Sequence, residues 1–120
     1  MILSEYPKHI KRLLREYNTA AHEQELHREL EKLDQSFAEW RSGALSSAEL
    51  SHRVHQYETG LSRELFARYN SGQPELGVAY AIVTGILDES QAPPELLEAI
   101  SGLLDLFRSM KERGELREPG

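Results

Sequence analysis

The residues best placed for chemistry are Glu49, His52, His55 and Glu58. Glu-x-x-His on a helix sets a carboxylate and an imidazole on adjacent turns, which is how helical bundles hold paired iron or manganese ions. Such a centre needs a second Glu-x-x-His and a glutamate from each of two more helices. Glu49-Leu50-Ser51-His52 is the only one in the chain. Glu49 also completes a Ser-x-x-Glu capping box that starts at Ser46. His52 and His55 are therefore expected as solvated residues on a helix flank, with no metal.

His22, Glu23 and His27 raise a similar possibility for zinc, but the His-Glu-x-x-His pattern needs imidazoles at i and i+4, and these two are five apart. Around them Glu23, Glu25, Glu29, Glu31 and Asp34 alternate with Arg28 and Lys32. Helical nucleotide pyrophosphohydrolases, which this chain resembles in being a small all-helical bundle, carry Glu-x-x-Glu with a later Glu-x-x-Asp on a facing helix as a magnesium site. Here Glu31-x-x-Asp34 comes early and Glu95-x-x-Glu98 comes late, in the reverse order and near different helix ends. A charged helix exterior explains the acids more simply. Nucleophile elbow, phosphate-binding loop and dinucleotide fingerprint are all missing from the sequence. The chain reads as non-catalytic, with no cofactor. The enzymatic alternative is a metal-dependent helical hydrolase using the Glu49/His52 region or the acidic face of the first helix.

Binding is the better prospect, and it lies near the start of the chain. Lys8, Lys11, Arg12 and Arg15 share one helix face, with Ile10, Leu13, Leu14 and Tyr17 opposite. A short basic amphipathic helix inside an acidic protein suits an acidic protein partner. It also keeps a nucleic-acid-binding module as a second alternative. The apolar side lacks the aromatic bulk of a membrane anchor.

These groups must be carried by helices. Leu76 to Leu87 is apolar on all sides apart from Thr84 and the Tyr80 hydroxyl, so it belongs in the interior. Pro74 and Glu75 are helix-start signals, and Gly77, Ala81 and Gly85 form a small-residue stripe where a neighbour could approach. The predicted helices cover 7–42, 46–70, 74–87 and 93–113, with a frayed tail over 115–120. The first is expected to pass Asn18-Thr19 unbroken, because Ala20-Ala21 propagate helix well. Its second half presents Leu26, Leu30, Leu33, Phe37 and Trp40 toward Leu50, Val54, Tyr57, Leu61, Leu65 and Tyr69 of the second. Gly60 inside that second helix marks either a close crossing or a tolerated cost.

The expected fold is all-α: a long antiparallel helical hairpin plus two shorter helices, an irregular four-helix bundle in one domain over 1–120. With 120 residues, 39% hydrophobic and 28% charged, the chain suits one soluble domain. No cysteine is present, which excludes disulfides, thiolate metal sites and cysteine nucleophiles. A net charge of −6 disfavours nucleic acid and anionic lipid across most of the surface. No signal-peptide pattern opens the sequence, and the cytoplasm is expected. The second helix reaches back only to about Thr19, so Ile10, Leu13, Leu14 and Tyr17 need another partner. A homodimer formed through them is expected, in an interaction protein of regulatory or adaptor type.

Overall fold

A computed structural model describes residues 5–119. Its elements are α1 (Lys8–Arg41), α2 (Ser47–Gln56), a π turn (Tyr57–Leu61), α3 (Ser62–Tyr69), α4 (Pro74–Val83), a 3-10 turn (Glu89–Gln91), α5 (Pro94–Ala99) and α6 (Ser101–Glu112). No strand occurs among the described residues, and the fold is the expected all-α bundle. At about 1.5 Å per residue, α1 alone is about 51 Å long and sets the 53 Å long axis of the molecule. It is unbroken across Asn18. That residue caps nothing, and its Nδ2 instead donates to the Tyr69 carbonyl at 2.7 Å.

α4 is the centre. Val78, Ala79, Tyr80, Ala81 and Ile82 are all buried, on every side of the helix. Val78, Ala79 and Ile82 join Tyr6, Ile10 and Leu14 of the chain's start and Leu96, Ile100 and Leu104 of α5–α6 in one core. Tyr80 and Ala81 face a second core with Ala21, Leu65, Tyr69 and Ile86. The stripe expected to wait for a second subunit is thus covered within the chain. Ile10 and Leu14 are 3% and 0% exposed, and Leu13 and Tyr17 pack half-buried on the same cluster. Self-association has no free Ile10 or Leu14 to use. The physical reason is that α4, apolar all round, has a face to spare for α1.

Several predicted boundaries need correction. The 74–87 helix ends at Val83: Gly85 takes φ +80°, and Leu87 N–H bonds back to the Ala81 carbonyl at 3.1 Å, which closes the helix. Gly85 is therefore a stop, not part of a packing stripe. Gly77 does lie at a close approach, because a Cβ there would collide with Asn18 Oδ1 and come within 3.0 Å of the Tyr69 ring. The 93–113 helix is two, interrupted at buried Ile100 (φ −111°, ψ 18°). The predicted frayed tail folds back over its described part, 115–119; Gly120 lies outside the described residues. Leu116 packs on the second core, and the Tyr80 hydroxyl donates to the Arg117 carbonyl at 2.6 Å.

The second predicted helix runs from Ser47 to Tyr69 as α2, the π turn and α3, all in helical backbone. Its inward residues Tyr57, Leu61, Leu65 and Tyr69 are spaced four apart, and four residues overshoot an α-helical turn by about 40°. The extra residue of the π turn takes up that drift and keeps Leu65 and Tyr69 inward. Gly60 sits in this turn with nothing within 4 Å of a Cβ, so it marks no close crossing.

Glu75 is the anomaly of the core. The sequence marks it as a helix-start acid, yet it is 1% exposed and neither carboxyl oxygen has a hydrogen-bond partner. Burial pushes its pKa above the usual carboxylate range. Burial, and then Glu75 itself, also raise the Tyr6 phenol, whose oxygen is equally unpartnered. The native state keeps the Glu75 proton to higher pH than the unfolded chain does. Stability is therefore lost as pH rises from the ordinary carboxylate value through the raised one. Glu75→Gln, which cannot ionise, should raise the melting temperature at pH 8, with a gain that shrinks toward pH 4. A gain independent of pH shows that Glu75 does not titrate with folding. Gly77→Ala should lower stability by about 1–3 kcal/mol through overpacking, read from denaturant unfolding.

Candidate functional site

The hairpin is antiparallel, and polar groups hold it in register. Asn18 meets Tyr69, Glu25 meets Arg68, and Ser36 meets Arg53. The residues of α1 buried along α3 and α2 are Ala21, which packs with Leu65 and Tyr69, and beyond it Glu25, Glu29 and Ser36. The apolar set predicted to face the second helix lies roughly a quarter-turn away, at about 100° per residue. Leu30 and Trp40 are consequently exposed at 47% and 40%, and Val54 across from them at 37%. The facing stripes expected from the sequence are displaced sideways, because the charged pairs need the line of closest approach.

Glu25 anchors this polar seam. Its carboxylate accepts both oxygens' worth of hydrogen bonds from Arg68 Nη1, at 2.8 and 2.9 Å, and a third from the Tyr69 hydroxyl at 2.9 Å. Arg68 lies 4.3 Å over the Tyr80 ring and also reaches Glu64 at 3.4 Å. Tyr69 in turn stacks on His22 at 5.3 Å between ring centres. Burial works against the Arg68 charge, but Glu25 and the two tyrosines outweigh it, and the guanidinium stays firmly protonated. Burial, then Glu25, pushes the Tyr69 phenol far above its ordinary value. Burial likewise raises Tyr80, against the pull of Arg68. Arg68 thus stays charged, and Tyr69 and Tyr80 keep their protons, which suits structure better than proton transfer.

Farther out, the seam opens. A cavity of about 460 Å³ lies between α1 and the π turn, lined by Leu33, Tyr57, Leu61 and Gly60 and by the cations Lys32, Arg53 and Arg117. Glu29 holds Lys32 at 2.9 Å, and Glu64 holds Arg117 at 2.9 Å. Arg53 reaches Ser36 at 3.0 Å, Glu49 at 3.4 Å and Glu39 at 3.5 Å. On the other side of the hairpin, Phe37, Trp40, Leu50 and Val54 line a groove of about 260 Å³. Trp40 Nε1 donates to Ser47 Oγ at 3.0 Å and fixes the indole over it.

The residues singled out for metal chemistry do not converge. Glu49 N–H is capped by Ser46 Oγ at 3.1 Å, but its carboxylate pairs with Arg53 and does not complete the reciprocal half of a capping box. His52, His55 and Glu58 are exposed. Glu23, Glu31 and Asp34 are exposed too, whereas Glu25 and Glu29 are buried and paired. No group of three metal-ligating side chains forms among the described residues, and no helix among them is long and apolar enough to cross a membrane. Lys8, Arg12 and Arg15 are exposed at the start of α1, with Lys11 half-buried beside them. The sequence reading missed Arg53, Arg68 and Arg117. Their one legible signal was that α1 carries more acids in its second half than its own basic residues can balance. No family model, curated protein or solved structure matches the chain.

Arg68→Met should destabilise by about 3–5 kcal/mol, since it strands a buried carboxylate. Arg68→Met with Glu25→Gln should recover a large part of that loss in denaturant unfolding. A double variant no better than the single one would mean that the guanidinium matters for its packing and not for the pair. His52→Ala with His55→Ala should change stability by less than about 1 kcal/mol.

Proposed function

We propose that this chain is a non-catalytic helical interaction protein that self-associates through its hairpin arm. The arm is the outer part of α1 and the α2 that pairs with it, and it lies outside both cores. The observation that carries the reading is the groove of Phe37, Trp40, Leu50 and Val54, where a tryptophan stays 40% exposed although the fold has an interior to receive it. Contiguous exposed apolar surface with an aromatic anchor is the usual mark of a docking site.

A second copy is the occupant this surface fits. A two-helix arm covers one face only, and two arms side by side complete a four-helix bundle. Two-fold pairing is also the commonest way to close such an assembly. Charge supports it. Asp34 and Arg41 are exposed on the same flank of α1, and neither makes an ion pair among the described residues. Antiparallel pairing centred on Phe37-Ala38 sets Asp34 of each copy opposite Arg41 of the other. The basic patch of Lys8, Lys11, Arg12 and Arg15 lies at the far end of α1 and stays free for an acidic protein partner.

Sedimentation of the full chain should show a dimer at micromolar concentration, and Trp40→Asp should weaken it at least tenfold while the fold persists. Asp34→Arg and Arg41→Asp should each weaken it, and the two together should restore it. A folded chain that stays monomeric at high micromolar concentration overturns the proposal.

A further inference from the structure

The cavity beside the π turn has features that the fold does not require. Gly60 has no left-handed backbone to satisfy, and a Cβ there would meet nothing within 4 Å. A glycine inside a helical run costs about 1 kcal/mol against alanine, so this one weakens the helix with no gain in turn geometry or packing. What its missing side chain leaves is open space on the cavity wall. The π turn could have absorbed the helical drift with any residue at position 60, and π turns of this kind recur at functional sites. At about 460 Å³ the space is within the range of small-molecule sites, roughly 300–1,000 Å³.

The wall chemistry selects the ligand. Leu33, Leu61 and Tyr57 supply an apolar surface, while Lys32, Arg53 and Arg117 outnumber the two carboxylates, Glu29 and Glu64, that share the wall. Both carboxylates are already engaged as acceptors. Lys32 and Arg117 are 56% and 77% exposed at their side chains and use one nitrogen each in those pairs. An ammonium has three donors and a guanidinium five, so several remain for a ligand. We infer that this cavity is a binding site for a small organic anion with a short apolar body, of the medium-chain carboxylate class. The carboxylate is held by Lys32, Arg53 and Arg117, and the chain lies on Leu33, Tyr57 and Leu61 in the space Gly60 leaves.

Titration of the full chain with octanoate, followed by amide NMR, tests this. Saturable shifts should centre on Tyr57 to Leu61 and on Leu33, and octylammonium of the same length should bind at least tenfold more weakly. Gly60→Leu should fill the space, melt no lower than the parent and lose at least tenfold in octanoate affinity. Lys32→Gln with Arg117→Gln, both at exposed side chains, should lose at least fivefold, and this variant decides the matter should Gly60→Leu fail to fold. Shifts confined to Lys8–Arg15, equal binding of the two probes, or an unchanged affinity in a folded Gly60→Leu would overturn the assignment.

Discussion

α4 has no side fit for water, and the rest of the structure follows from covering it. A helix with one apolar stripe can rest on a single neighbour, but Val78, Ala79, Tyr80, Ala81 and Ile82 point in every direction and are all buried. The start of α1, the end of α3 and α5–α6 close around it. Even the segment after α6 is drawn in, through Leu116 and the carbonyl of Arg117. The cover is complete only over the first half of α1. Because α1 is as long as the molecule, its second half extends past the core and runs beside α2, the π turn and α3.

Beyond Leu26, which packs on the second core, that second half is held to its neighbour chiefly by charged and polar pairs. An apolar zipper between two helices tolerates a slip of one turn, since one leucine replaces another. The Glu25–Arg68–Tyr69 cluster does not, because any slip leaves a carboxylate buried without its partner, at several kcal/mol. The seam thus sets the hairpin's register. It also displaces Leu30, Phe37 and Trp40 toward solvent, where they are free for an outside surface. Polar registration and apolar exposure are two consequences of one rotation of α1 about its axis.

The local irregularities have a common cause. Inward residues four apart, as in Tyr57-Leu61-Leu65-Tyr69 and Leu96-Ile100-Leu104, drift around a regular α-helix. The chain corrects the first series with a π turn and interrupts the second at Ile100. Each departure from ideal geometry keeps large side chains in the core. One of them also opens the hairpin at Gly60 and makes the cavity there.

The sequence by itself determined the helices, because period, caps and propensity are local: α1 unbroken past Ala20-Ala21, the start at Pro74, the turn at Gly43, and the interior place of the 76–87 stretch. Motif spacing is local too: the chain holds one Glu-x-x-His, and His52, Glu23, Glu31 and Asp34 lie on exposed faces. Tertiary structure decided what faces what. Whether Ile10 and Leu14 meet a second subunit or α4 depends on how many faces α4 can offer, which no single segment records. Which side of α1 meets α3 depends on Arg68, forty-three residues away from Glu25. Glu75 reads as a helix-start acid from its own neighbours and becomes a buried, unpartnered carboxyl only once Tyr6 and the core close over it. Local signals specify that a helix forms and where it starts, and the rotation of one helix against another is settled by partners distant in the chain.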